Sequence, residues 1–174
     1  SIIIMSINIS DKIKTSLMMN SYFDTLGFKN TEWEFNFNFN NNNNNLQANL
    51  IWLHIVHNYF VLGGPNIDIS SWNASDDTIL TLATGNSILK GGNIKNYIDE
   101  YKSVLKSLED SKRASGVNTI NTLKKIIKIN DINKLNYSES MGGNGAAIRT
   151  SPIGLIYYKE NQIEELIKQS IESS

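Results

Sequence analysis

The chain has 174 residues, a 40% apolar fraction and a formal net charge of -1, which are typical of one globular domain. The near balance of 16 basic and 17 acidic residues excludes a general attraction to nucleic acid or to an anionic membrane. The absence of cysteine excludes disulfides and thiolate metal sites, and it favours a cytoplasmic or other reducing intracellular compartment.

The first part of the chain predicts a helix over residues 6–22, because apolar side chains recur there at helical spacing. We expect this helix to end near Gly27, which adopts the left-handed conformation at low cost. A short extended segment follows, in which Trp33 and Phe35 alternate with acidic residues and face inward.

Residues 36–45 form a low-complexity, Asn-rich stretch that predicts a surface loop. The next segment, 46–62, carries apolar residues at most positions and is typical of a buried helix. His54 and His57 share one face of this helix. They fit either the polar edge of a core helix, which we favour, or a pair of metal ligands.

Ser75, Asp76, Asp77 and Thr78 open the next apolar run, and this short stretch permits two interpretations. Ser75 is a typical helix cap, and two carboxylates in a first helical turn favour the positive end of the helix dipole. Adjacent carboxylates and hydroxyls are also the hard oxygen donors that Mg²⁺ or Ca²⁺ prefers. Local sequence alone leaves both roles open, and they are compatible.

The remaining helices follow from apolar spacing and from glycine or proline stops. Residues 93–109 predict an amphipathic helix with a charged outer face, and residues 117–127 predict a shorter one. Pro152 is expected to bend or restart the helix that it enters. A last helix from residue 160 is predicted to place four apolar residues inward, namely Ile163, Leu166, Ile167 and Ile171.

A second informative stretch contains Gly143, Asn144 and Gly145, just before an apolar helix start. Closely spaced glycines let the backbone approach a ligand, and loop N–H groups at a helix start suit phosphates. A tight turn is the alternative. The spacing is not the dinucleotide fingerprint, so a Rossmann unit is rejected.

With six or seven predicted helices and no convincing strand, we predict a single all-α domain over residues 1–174. Three groups of motifs occur in a recognisable order, namely Asp24–Gly27 with Trp33–Phe35, Ser75–Thr78, and Gly143–Arg149 with Pro152–Leu155. This order resembles that of the ADP-ribosylglycohydrolase family, and Trp33-Glu34-Phe35 and Ser170–Ser173 look closest to its ADP-ribosylarginine hydrolase branch.

The resemblance implies an all-α hydrolase that holds two Mg²⁺ ions and removes ADP-ribose from protein side chains, with arginine the favoured linkage. By resemblance, Ser75, Asp76 and Asp77 are metal ligands, and Asp76 and Asp77 also serve catalysis. Glu34 is the catalytic carboxylate near the metals. Gly143, Asn144 and Gly145 approach the ADP-ribose. The partners implied are ADP-ribose or an ADP-ribosylated protein.

The chain departs from the family pattern in two respects. Phe23 stands before Asp24 where the family has glycine. A late Asp-x-Asp-Ser/Thr motif and a histidine-bearing segment are absent. We therefore expect a truncated domain that matches the family's N-terminal half, with part of the metal ligand set missing and apolar surface exposed. A second chain that completes the site, an inactive relative that binds ADP-ribose, and a helical interaction domain remain alternatives.

Overall fold

The computed structural model describes residues 9–33, 44–129 and 144–174 of the chain. These residues form an all-α fold, as predicted, and contain no strand. Within them no helix is both long and apolar enough to cross a bilayer. Across the described ranges, the α-helices in chain order are α1 (Ile9–Phe28), α2 (Asn44–Val61), α3 (Asp76–Leu89), α4 (Ile94–Leu108), α5 (Val117–Ile129), α6 (Gly145–Ile148), α7 (Ser151–Ile156) and α8 (Ile163–Ser173).

The core lies around the antiparallel pair α3 and α4. Gly91 and Gly92 join these helices with backbone φ of 113° and 57°, values that glycine adopts without the steric cost of a side chain. The predicted inward face of α4 is largely confirmed, since Tyr97 and Leu108 are each only 1% exposed. Side chains from α3, α4, α5 and α7 share one cluster, including Leu80, Ala83, Tyr101, Leu123 and Ile153.

Helix α1 ends later than predicted and by a different device. Gly27 keeps a helical conformation, and the helix continues to Phe28, whose side chain is 2% exposed. Burial of that ring holds the last turn, so the expectation that Gly27 ends the helix in a left-handed conformation is wrong. The left-handed backbone falls on the next residues, Lys29, Asn30 and Thr31, with φ of 40°, 53° and 81°.

The left-handed turn after α1 is fixed by a contact with the loop before α3. Asn73 donates from its backbone N–H and from Nδ2 to the Asn30 side-chain oxygen, at 2.8 and 3.2 Å. Trp33 lies in a turn and packs edge-on against Trp72, so the expected extended segment is not formed at Trp33. Phe35 lies outside the described residues.

Helix α2 is exposed along much of its length, which contradicts the expectation of a buried helix. Trp52 and Phe60 are 67% and 65% exposed, and both histidines are exposed as well. Asn58 donates an amide hydrogen to His54 Nε2 at 2.8 Å, as expected for a polar helix edge. An apolar composition indicates that a helix is stabilised by packing against another surface, but it does not show that such a surface is present.

The start of α2 bears on the predicted loop over the Asn-rich stretch. The helix begins at Asn44, so the end of that stretch is helical, and residues 36–43 lie outside the described part.

Helix α8 turns a different face inward from the one predicted. Ile163, Ile167 and Ile171 are 53%, 52% and 70% exposed, and only Leu166 of the predicted set packs against the core. Gln169 is buried instead, because its amide donates to the Gly92 carbonyl and accepts from the Tyr97 hydroxyl. Satisfied polar groups thus take the core-facing position. The exposed isoleucines match the expectation of apolar surface.

Candidate functional site

The start of α3 is a capped helix end, as predicted. Ser75 has extended backbone, and its Oγ accepts a hydrogen bond from the Asp77 N–H at 3.2 Å. This bond satisfies one of the backbone donors that a first turn leaves unpaired. Asp76 and Asp77 occupy that first turn, where negative charge is favourable.

Asp24 on α1 is hydrogen-bonded to this helix start. Its carboxylate accepts hydrogen bonds from the Ser75 N–H at 2.9 Å, the Ser75 hydroxyl at 2.6 Å and the Thr78 hydroxyl at 2.5 Å. Charge-assisted bonds of this length are stronger than bonds between neutral groups. Helices α1 and α3 are therefore joined at the predicted site by one carboxylate.

The segment between α4 and α5 holds the same helix start from the other side. Arg113 Nη1 donates to the Ala74 carbonyl at 2.5 Å, and the Gly116 N–H donates to Asp76 Oδ2 at 3.3 Å. Sequence analysis missed both residues. No local pattern marks them, because their partners lie 39 and 40 positions away in the chain.

A cleft of about 610 Å³ brings together residues from two of the predicted motifs. Asp76 and Asp77 line it together with Asn144 and Gly145. Ser75, the third predicted ligand, is 3% exposed and is not among the residues that line the cleft. A side chain built at Gly145 would meet no atom within 4 Å, so the backbone there has open space beside it. Two further predicted residues, Glu34 and Gly143, lie outside the described residues.

The Asp76 carboxyl titrates abnormally in the cleft. Burial raises the pKa of this carboxyl above its ordinary value of 3.8; the Gly116 N–H opposes this, and the negative charge of Asp24 adds to it. A cation beside Asp76 would relieve both the desolvation and the repulsion. The oxygen donors therefore fit a hard divalent ion, although the described residues contain no group of three or more His, Cys, Asp or Glu placed to hold one.

Two further charged residues, Arg149 and Glu172, line the cleft. Both lie in stretches that were quoted for the resemblance, but no role was predicted for either. Arg149 is 9% exposed and donates from Nε and Nη2 to the Ser173 carbonyl at 3.1 and 2.8 Å, with its guanidinium 5.0 Å from the Tyr101 ring centre. The Glu172 Oε2 is buried with no hydrogen-bond partner in the described part of the chain. The cleft is thus lined by charged groups of both signs.

Comparisons with known proteins agree with the motif order. The family model for ADP-ribosylglycohydrolase matches residues 5–174. ADP-ribosylhydrolase ARH1 of Dictyostelium discoideum is 31% identical over 176 residues, which cover 94% of this chain and 42% of that protein. ADP-ribosyl glycohydrolase L444 of Acanthamoeba polyphaga mimivirus is 33% identical over 171 residues, covering 92% and 32% respectively. The chain thus spans less than half the length of either relative.

Proposed function

The chain belongs to the ADP-ribosylglycohydrolase family, and on that premise we propose that it hydrolyses the bond between ADP-ribose and a modified protein side chain. The observation that carries the proposal is the shared cleft. Asp76 and Asp77 face the same space as Asn144 and Gly145, which come from a distant part of the chain. Acidic groups and an open glycine backbone together suit an anionic sugar nucleotide bound through a cation.

We propose Mg²⁺ as the cofactor, with Ser75, Asp76 and Asp77 as ligands from this chain. Carboxylate and hydroxyl oxygens are the donors that Mg²⁺ prefers, and a nearby cation would favour the ionised form of Asp76. When bound, Mg²⁺ supplies a Lewis acid that polarises oxygen atoms of the substrate or of water. The Gly116 N–H bond to Asp76 holds one candidate ligand in place.

The remaining roles are assigned to this chain's own residues. Glu34 is proposed to position the attacking water and to accept its proton. Gly143, Asn144 and Gly145 are proposed to lie against the ADP-ribose, and the open space beside Gly145 supports close approach of a ligand. Breaking a glycosidic bond develops positive charge on the sugar, which carboxylates in the cleft stabilise.

An ADP-ribosylated arginine is the proposed substrate group. This finer assignment rests on the resemblance of Trp33-Glu34-Phe35 and of Ser170–Ser173 to the ADP-ribosylarginine branch. The partner is then an ADP-ribosylated protein or free ADP-ribose. We expect neither nucleic acid nor a membrane as a partner.

The test is release of ADP-ribose from an ADP-ribosylarginine peptide by the purified chain with Mg²⁺, followed by chromatography. Asp76→Ala and Asp77→Ala should each abolish release, and a chelator should do the same. Asp99→Ala is the matched control, because Asp99 is an exposed acid on the outer face of α4. A serine-linked peptide, run in parallel, tests the linkage. Equal release from Asp77→Ala and from the parent chain would rule the mechanism out.

Binding of ADP-ribose without turnover is a second candidate function. It is favoured by the small set of acidic ligands in the described residues. Calorimetry separates the two functions, since this candidate predicts ADP-ribose binding with no release in the peptide assay. Absence of both binding and release would exclude both and leave a helical interaction domain.

A further inference from the structure

Asp24 contacts the start of α3, which carries the proposed site. Among the described residues its carboxylate accepts three hydrogen bonds, two from Ser75 and one from Thr78. Asp24 is half-buried on α1, more than fifty positions away in sequence. A carboxylate accepts hydrogen bonds and donates none when ionised, so it determines the direction of each hydroxyl hydrogen that it receives.

The consequence for Ser75 is a defined orientation of its hydroxyl group. A serine hydroxyl has one hydrogen and two acceptor lone pairs. The hydrogen is directed to Asp24 at 2.6 Å, and one lone pair accepts the Asp77 N–H at 3.2 Å. One lone pair remains. Ser75 can therefore meet a cation only as an acceptor, which is the form that a metal ligand requires.

We propose that Asp24 is a positioning residue of the cation site: it holds the hydrogen of the Ser75 hydroxyl away from the cation and fixes the turn that carries Asp76 and Asp77. This inference rests on the proposed function for the identity of the site. Groups that orient metal ligands through hydrogen bonds commonly change metal affinity 10- to 100-fold when they are replaced.

Asp24→Asn tests the role with almost no change in side-chain size. The amide retains one acceptor oxygen but presents an NH₂ group to the hydroxyl donors of Ser75 and Thr78. The hydroxyl of Ser75 must then reorient. Thr25→Val is the matched control: Thr25 is the neighbouring buried residue, and in the described part of the chain its hydroxyl donates within α1, to the Ser21 carbonyl.

Mn²⁺ affinity, measured by electron paramagnetic resonance on the full chain, is the first measurement. Asp24→Asn should bind Mn²⁺ at least about 10-fold more weakly than the parent chain, whereas Thr25→Val should stay within about twofold. Circular dichroism shows that each variant is folded. An unchanged affinity in Asp24→Asn would overturn the proposal. If that variant does not fold, Asp24→Glu replaces it, since its carboxylate is displaced by one methylene group, and the same criterion applies.

Hydrogen exchange of the backbone over residues 74–79 is the second measurement, and it does not depend on metal. Asp24→Asn should accelerate exchange in this segment relative to Thr25→Val, with α4 unchanged in both. If the parent chain binds no Mn²⁺, the proposed function fails, while faster exchange still supports positioning by Asp24. Equal exchange in the two variants would overturn the positioning role.

Discussion

The backbone N–H of Gly116 donates a hydrogen bond to Asp76 Oδ2 at 3.3 Å across 40 positions of sequence. Gly116 comes directly before α5, and Asp76 is the first residue of α3, so this bond connects two walls of the cleft. The bond lowers the pKa of Asp76, but burial raises it more. The Asp76 carboxylate is therefore held in place at a cost in the free energy of folding.

Asp76→Asn should show this cost as a pH-dependent gain in stability. Because the folded pKa of Asp76 lies above its ordinary value of 3.8, the folded chain binds this proton more tightly than the unfolded chain. The stabilisation from the protonated group is complete below pH 3.8 and is lost as the pH rises through the folded pKa. Asp76→Asn has no titratable group at this position, so its stability relative to the parent chain should increase as the pH rises.

Urea unfolding from acid to neutral pH measures the difference in the free energy of unfolding between the variant and the parent chain. Loss of the favourable charge at the helix N-terminus opposes the gain by about 0.3–1 kcal/mol, so the slope with pH decides the question. If the variant instead lost stability relative to the parent chain as the pH rises, the favourable charge at the helix N-terminus would outweigh the cost of burying the carboxylate. Asp99→Asn is the control. Because Asp99 is exposed on α4, the free energy of unfolding of this variant should stay within about 0.5 kcal/mol of that of the parent chain at each pH.

Arg113→Ala should destabilise the loop that leads into α3. The substitution removes the guanidinium donor to the Ala74 carbonyl. A hydrogen bond with a charged partner contributes about 1.5–3 kcal/mol, and partial exposure of Arg113 reduces this, so we expect a loss of about 1–2 kcal/mol. Thermal and urea unfolding measure the loss. Lys112→Ala, at the exposed neighbouring position, should change stability by less than about 0.5 kcal/mol.

Local chemistry was enough to predict the cap and the start of α3. Ser75 before two acids marks a helix start, and the helix begins at Asp76 with Ser75 as its cap. The partners of that start could not be predicted in the same way. Asp24 and Gly116 approach it through the packing of whole helices, and nothing in their own neighbourhoods specifies the contact.

The errors at α2 and α8 have a different physical origin. Periodicity identifies the apolar face of a helix but not the surface that covers it. In α8 the isoleucine face at Ile163, Ile167 and Ile171 is exposed, while Gln169 is buried with its side chain in three hydrogen bonds, to Tyr97, Gly92 and Glu165. A polar residue whose bonds are all satisfied can therefore occupy a core position that hydrophobic patterning assigns to isoleucine.

Gly27→Ala should stabilise the chain, because Gly27 lies in α1 with a helical backbone. A side chain there would meet no atom within 4 Å, and alanine is favoured over glycine in a helix by about 0.5–1 kcal/mol. Gly64→Ala is the contrasting variant. Gly64 has φ of 55°, and a side chain there would lie 3.3 Å from Phe60, so we expect a loss of about 1 kcal/mol or more. A loss of stability in Gly27→Ala would instead indicate that Gly27 ends α1 in a left-handed conformation.

Ile167→Ala and Ile171→Ala should each cost less than about 0.5 kcal/mol, because these side chains are 52% and 70% exposed. Leu108→Ala is the matched contrast, since Leu108 is 1% exposed, and its removal should cost about 2–5 kcal/mol through the cavity it leaves. Chemical denaturation measures all three variants. A cost above about 2 kcal/mol at Ile171 would mean that this face of α8 is covered in the folded chain. A double variant that carries both Ile167→Ala and Ile171→Ala, examined by light scattering, shows whether the exposed face drives self-association, because losing two apolar side chains should then reduce the apparent mass.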